Sequence, residues 1–568
     1  MSENKVFAKV VGGSLSKGVD ALILKQFSTE QIRSGSMVII EGRENKYLGV
    51  VFDVEHLGSK SVAGMVSRET VSDIEIASLR GKVLSSLRQH GKLPSIVKIV
   101  PIASLVNGSI EQADTLPYYM ASTSVPTQED ISSFYGEEEE RIIWPLGIPK
   151  LPLTESKIDV YIPINVDVLT RGSFGIFGKS GTGKTFLGNI IAAYIVASNY
   201  SGKLKKRVKL LIFDMHSEYG LMVKDTVGRD YAPGVGQVFS EDFVIYTPDM
   251  GLAKNRGLKE FKISVDGVRV EDIAIAADAF GLTKTYVNYL PTFERLLKAQ
   301  FGRNWLKALC GLLSYDENSV AERIISGDSG AAGLQSFRAA RSKLRRMERM
   351  EFIDWRGVAK DTADEIVEEI TNGERSVIIS FGGYGDDKAA YMLIANIVAR
   401  RLWKRYVEFA MEGGKLEYRV VIFLEEAHKF LGSETYYMTP FGNVARELRK
   451  RGVVLCVVDQ RPSQIFENVR GMLWNYFVML LTEDSDVDVC TKGLPYSKLF
   501  KPVVQQLRRQ EVLVYGEAVN VPAVLKIVDY KTTMDKLTEK YRNVLTEKKR
   551  KTDLLIKEYE IDEDDEYE

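Results

Sequence analysis

Short apolar runs, broken by glycines and polar turns, fill the first hundred residues. Val6-Phe7-Ala8-Lys9-Val10-Val11 precedes Gly12-Gly13, and Met37-Val38-Ile39-Ile40 precedes Glu41-Gly42; Tyr47 to Val54 and Ser95 to Val100 follow. Strands at this spacing predict a small β-barrel or sandwich over residues 1–110, with one helix over Leu79–Gln89. Assembly or docking suits such a module better than catalysis. The pattern lapses over 111–158, where Thr123 to Gly136 is polar and Pro145, Pro149 and Pro152 punctuate the chain, so this stretch is expected to be a connector. Beyond it, apolar strand candidates recur at Phe174–Gly178, Val208–Asp214, Val377–Phe381, Val420–Leu424, Val453–Val458, Tyr476–Leu481 and Val512–Tyr515. They alternate with helical stretches, which predicts an α/β core over 159–249 and 351–530, built on a parallel sheet covered on both faces. Residues 250–350 turn mostly helical, as at Val270 to Phe280 and Tyr286 to Phe301, and read as an insertion into that core. Residues 531–568 predict a charged helix fraying into an acidic tail, with Lys548-Lys549-Arg550-Lys551 ahead of Asp562 to Glu568.

One stretch carries phosphate chemistry. Gly178-Lys179-Ser180-Gly181-Thr182-Gly183-Lys184-Thr185 fits the phosphate-loop pattern at every fixed position, between a predicted strand and a predicted helix that starts at Phe186. Consecutive backbone N–H groups and the positive end of a helix face an anion there, and the glycines let the backbone approach it closely. Gly178, Ser180, Gly181, Thr182, Gly183, Lys184, Thr185 and Phe186 are the expected ATP-binding residues. Lys184 is expected to reach the β- and γ-phosphates, and the Thr185 hydroxyl to hold Mg²⁺.

The strand Val420–Leu424 ends in Glu425-Glu426. After a phosphate loop, the first acid supports the Mg²⁺ shell and the second polarises the attacking water, which makes Glu425 a metal residue and Glu426 the catalytic base. Aspartate commonly holds the first place, so Glu425 is one methylene longer, and the metal lies slightly farther out or a water bridges to it. Gln460, at the end of the strand Val453–Val458, lies where open parallel sheets bind ligands and is expected to sense the γ-phosphate. Ala445 to Arg451 predicts a helix ending in cations. These either complement the helix dipole or send an arginine, Arg446 first and Arg449 second, into a neighbouring subunit's nucleotide. Arg171, just ahead of the first strand, is a candidate phosphate contact within its own chain. Asp214 and Glu218 are expected to support the metal's water shell or to position a loop, and His216 to be structural. The basic run Arg338, Arg341, Lys343, Arg345, Arg346 and Arg349 is either a solvated helix face or a phosphate-facing surface.

Composition narrows the setting. The 568 residues exceed one core, and 45% apolar with 27% charged residues suits a globular protein. A net charge of −1 predicts no polyanion affinity by itself, so any nucleic-acid surface must be local. Three distant cysteines without C-x-x-C, and four histidines without ligand spacing, argue against a disulfide framework or a zinc site. No apolar run reaches membrane-spanning length and the N-terminus lacks the apolar core of a signal peptide, so a soluble, cytoplasmic protein without a membrane partner is expected.

These motifs resemble the HerA family of DNA translocases, within the wider HerA/FtsK group. The carriers are the phosphate loop 178–185, Phe-Asp-Met-His-Ser-Glu-Tyr (213–219), Leu-Glu-Glu-Ala-His-Lys-Phe (424–430), Arg-Lys-Arg-Gly (449–452) running into Asp-Gln-Arg-Pro (459–462), and Gly516-Glu517-Ala518 ahead of Val521-Pro522. The N-terminal β region is more loosely similar to that family's small barrel, and Asp459 stands where Thr or Ser is expected. The resemblance implies a RecA-like ATPase core, a hexameric ring around duplex DNA, and docking of a NurA-type nuclease for end resection in double-strand break repair. A ring multiplies a weak local charge by its symmetry, so near-neutral net charge is compatible with DNA. Two other readings stay open from sequence: a DNA pump for conjugation, packaging or segregation, and an ATPase switch that never moves DNA.

Overall fold

The protein is described by a computed structural model covering residues 5–24, 26–56, 95–136, 143–153, 160–224, 228–315, 320, 323, 330–357, 361–412 and 417–541. The expected helix at Leu79–Gln89 and the charged segments at 548–551 and 562–568 lie outside the described residues.

Six N-terminal strands close into a barrel. Gly18–Ile23 pairs with Val6–Ser14, then come Ser122–Ser124, Met37–Glu41, Lys46–His56 and Ser95–Val106, which pairs back onto Gly18–Ile23. Period-2 alternation explains the unbroken run Met37 to Ile40. Val38 and Ile40 fill the barrel interior with Phe7, Val51 and Val97. Met37 and Ile39 point the other way and join the large core that the strands and helices beyond residue 160 also supply. Both faces are therefore buried, and the barrel is seated on the rest of the chain.

The core is a twelve-stranded sheet. Its strands are β1 (Ile143–Pro149), β2 (Ile162–Asn165), β3 (Ser173–Phe177), β4 (Val208–Asp214), β5 (Phe243–Thr247), β6 (Lys259–Glu260), β7 (Ser376–Ser380), β8 (Arg419–Glu425), β9 (Val453–Asp459), β10 (Leu473–Val478), β11 (Glu511–Gly516) and β12 (Ala523–Ile527). The order is β6-β5-β7-β4-β8-β9-β3-β10-β11-β12-β1-β2. From β6 to β10 all neighbours run parallel. Apart from the exposed edge strand β6, these strands are mostly apolar because helices cover both faces, notably α1 (Lys184–Asn199) and α2 (Lys388–Met411), each with a long buried side.

The expectation of an all-parallel sheet is corrected at one flank, where β10, β11, β12, β1 and β2 pair antiparallel. Only residues 517–522 separate β11 from β12, too few for a crossover helix, so a hairpin is the outcome. The 111–158 stretch also does more than connect: Ser122–Ser124 completes the barrel and β1 joins the large sheet.

Between 250 and 350 the chain is mostly helical, with Met250–Arg256, Val270–Ile275, Lys284–Phe301 and Gly330–Leu344. Its two ends meet where Ile263–Ser264 pairs with Ile353–Asp354. Asp272, fully buried, anchors it to α2 through Arg400 at 2.7 Å and Asn396 at 2.7 Å. Much of the basic run is engaged in packing. Arg346 bonds the Ala279 carbonyl and Asp387, Lys343 bonds the Gly281 carbonyl, and Arg341 covers the Tyr315 ring. The architecture is α/β: a RecA-like P-loop core with a helical insertion and an N-terminal β-barrel.

Candidate active site

The parallel strands β3, β4, β8 and β9 end at one edge, and the sequence there leaves each strand on a loop. After β3, Gly181 (φ +76°) and Gly183 (φ +112°) take backbone conformations that disfavour a side chain. A Cβ on Gly178 would lie 2.8 Å from the Met479 side chain. The loop is tied to its neighbours by Gly178 N–H to the Asp459 carbonyl at 3.2 Å and Lys179 N–H to the Leu480 carbonyl at 2.8 Å. Thr182, buried, donates its hydroxyl to the Lys179 carbonyl at 2.8 Å and so stiffens the loop internally. Helix α1 starts at Lys184 with no side-chain cap, which leaves its first N–H groups for an anion.

Lys184 Nζ bonds the carbonyls of Gly178 at 2.7 Å and Lys179 at 3.0 Å. Burial pushes its pKa down, while the charges of Glu425, Glu426 and Asp459 push back. Ser180, Gly181, Gly183, Lys184, Thr185 and Phe186 line one cavity of about 320 Å³ together with Glu425, Glu426 and Gln460. The fold thus gathers those candidates at one place, over 240 residues apart in sequence for Lys184 and Glu426. Phe186 is buried, its ring stacked on Tyr530 at 5.0 Å, so it packs the floor more than it offers a free ring face.

The two acids differ sharply. Glu425 is 7% exposed and accepts the Met215 N–H at 3.1 Å. Burial, with Asp214 and Glu218 nearby, pushes its carboxyl up to about 8. Glu426 follows in a left-handed backbone conformation (φ +48°), which turns its side chain into the cavity mouth, where Gln460 Nε2 donates to Oε1 at 3.0 Å. A buried acid whose charged form is disfavoured, beside the Thr185 hydroxyl in one cavity, is a donor set that suits Mg²⁺, a hard cation usually held by one or two protein oxygens and by phosphates.

Asp214 faces inward. It is fully buried and accepts the N–H groups of Glu218 at 2.8 Å, Tyr219 at 3.1 Å and Gly220 at 2.7 Å. Burial pushes its carboxyl up to about 7. Of the two roles expected for it, positioning the loop is the one its contacts match.

The three arginines are not at this edge. Arg171 precedes β3, at the opposite end of the strand from Gly178, and is ion-paired with Asp167, which Arg419 also grips at 2.8 Å. A contact from Arg171 to phosphates of its own chain is therefore excluded by the length of the strand. Arg449 lies over the Trp474 ring at 4.7 Å, and a Cβ on Gly172 would meet that same ring. Arg446, at the end of helix α3 (Pro440–Glu447), bonds Asn443 at 2.9 Å and Glu447 at 3.1 Å. Arg171 and Arg449 thus lie at the far edge of the sheet, and Arg446 stays on its own helix, outside the cavity lining.

Several cavity residues escape sequence reasoning. Arg509 and Lys224 reach it from distant segments, and Gln510 N–H bonds the Thr182 carbonyl at 2.9 Å. The pair Arg508-Arg509 just ahead of β11 is the one local sign of this, since that strand begins beside the loop. His428, part of the Glu-Glu-Ala-His motif, stands against Asp459 at 2.9 Å.

Comparison with known proteins fits this geometry. The family model "Helicase HerA, central domain" matches residues 150–402. The DNA double-strand break repair helicase HerA of Sulfurisphaera tokodaii is 24% identical over 533 residues, covering 92% of both chains. That of Sulfolobus acidocaldarius is 22% identical over 91% of this chain and 94% of its own. Among solved structures, the plasmid coupling protein TrwB with the ATP analogue ADPNP overlays at a TM-score of 0.43 and 15% identity, over 65% of this chain and 88% of that one. With a complete phosphate loop facing two strand-end acids, the chain is a P-loop ATPase, and over nine-tenths of its length it is similar to HerA helicases.

Proposed function

We propose that this chain is an ATP-driven DNA translocase and helicase that assembles as a ring, hexameric by resemblance, around duplex DNA and works with a NurA-type nuclease in resecting broken ends. The observation that carries the reading is the single cavity shared by the phosphate loop, Glu425, Glu426 and Gln460, in a chain whose full-length relatives are double-strand break repair helicases.

In this reading the loop N–H groups and Lys184 bind the triphosphate, with Ser180, Gly181, Thr182 and Gly183 shaping the cradle and Phe186 its floor. Thr185 and Glu425 hold Mg²⁺, and the bound ion supplies charge neutralisation at the phosphate oxygens. Glu426 orients the attacking water and accepts its proton, while Gln460, already bonded to Glu426, reports whether a γ-phosphate is present. The far edge of the sheet, with Arg449, and the helix that carries Arg446 meet the next subunit's nucleotide and link its turnover to the ring.

The test is ATP turnover with and without blunt duplex DNA, alongside the mass of the particle. Duplex ends are expected to raise turnover on a ring-sized particle, with DNA binding that weakens steeply as salt rises. A rate indifferent to DNA would leave only the ATPase.

A further inference from the structure

Glu426 sits in an unfavourable place for a residue whose side chain must be aimed. Its φ of +48° is left-handed, a conformation that costs a non-glycine residue about 1 kcal/mol or more, so something around it must hold the turn. The holding contacts come from the neighbouring strand. His428 gives both of its well-placed donors to one carboxylate: the backbone N–H reaches Asp459 Oδ2 at 2.7 Å and ring Nδ1 reaches the same oxygen at 2.9 Å. Asp459 is 1% exposed and also accepts the Arg461 N–H at 2.7 Å, so it cannot swing away. Because a carboxylate this well supplied with donors only accepts, Nδ1 carries a hydrogen, and the ring plane is thereby fixed.

That orientation turns Nε2 toward Glu426, 3.9 Å from Oε2. The other oxygen, Oε1, takes the Gln460 amide at 3.0 Å, and Lys429 Nζ lies 3.9 Å from Oε2. The carboxylate of Glu426 is thus framed on both sides, with Gln460 close and His428 a short movement away. Asp459 also touches the phosphate loop, since its carbonyl accepts the Gly178 N–H at 3.2 Å. One buried residue therefore meets both the loop that binds nucleotide and the histidine that faces the acid.

We propose that Asp459 and His428 form a positioning pair for Glu426: Asp459 locks the imidazole, and the imidazole sets the direction of the Glu426 carboxylate. The pair rests on the reading of Glu426 as the residue that aligns water. Asp459 occupies the position where a hydroxyl residue was expected, and a hydroxyl is too short to hold backbone and ring of His428 together.

Three variants separate the steps. His428→Asn keeps a donor for Asp459 at the place of Nδ1 but has no atom at Nε2. It is expected to melt with the parent, bind ATP with unchanged affinity and lose about tenfold or more in kcat. Asp459→Asn is expected to lower kcat similarly, and the two changes together to cost little more than either alone, as for groups acting in one chain. Parental kcat in His428→Asn, with Glu426→Gln inactive, would overturn the pair alone. Parental kcat in Glu426→Gln would overturn the reading of Glu426 and the pair with it.

Discussion

Replacing Glu425 by glutamine isolates a charge that the fold buries at a cost. The side chain is almost fully covered, and burial with Asp214 and Glu218 lifts its carboxyl from 4.5 to about 8. A raised folded-state pKa means that the native protein holds a proton the unfolded chain gives up. Its contribution to stability is fully present below 4.5, falls as pH rises through that window and is gone above about 8. A displacement of this size corresponds to roughly 3–5 kcal/mol between the two limits. Glu425→Gln keeps an oxygen for the Met215 N–H and removes the titration. Without nucleotide or divalent cation, the variant should therefore melt above the parent at alkaline pH, with the gap closing toward acid. Asp214, pushed up to about 7, adds its own slope to both proteins and leaves the difference to report on Glu425. In Mg²⁺ and ATP the order should reverse, because the cation stabilises only the parent's carboxylate. Thermal melts across pH, in chelator and in Mg²⁺–ATP, make the comparison. A variant less stable than the parent at every pH without cation would refute the argument.

Asp214→Ala leaves three backbone N–H groups of the 218–220 turn without their acceptor and should cost roughly 3–5 kcal/mol, read by denaturant unfolding, with weaker ATP binding as the turn at the cavity edge loosens. Arg171→Ala should leave ATP affinity unchanged in dilute, unassembled protein while lowering the melting temperature, since Asp167 loses one of two guanidinium partners; weaker ATP binding under those conditions would contradict its placement at the far edge.

What could be read from the chain alone was what is local. The phosphate loop announces itself because each glycine answers a backbone need within eight residues, and Glu425-Glu426 because an apolar strand ends in two acids. The seven strand candidates of the core all correspond to strands, within a few residues at their ends. The antiparallel flank was invisible because β11, β12 and β1 are as apolar as their parallel neighbours, and direction is set by the length of the connection. Arg171 misled by sequence proximity: only six residues separate it from Gly178, but five of them form an extended strand, which spans about 16 Å. The basic run at 338–349 looked free, while three of its members are bound to backbone, acid or ring partners that lie far away in sequence. His428 offered no signal by itself, because its partner Asp459 arrives 31 residues later on the next strand.

The central claim is that a triphosphate held at one sheet edge is attacked by water that Glu426 aligns. Its most direct measurement is phosphate release by Glu426→Gln beside ATP binding by the same variant. The account predicts binding at parental affinity with turnover reduced by about 10²–10⁴. Phosphate release at the parental rate would contradict it.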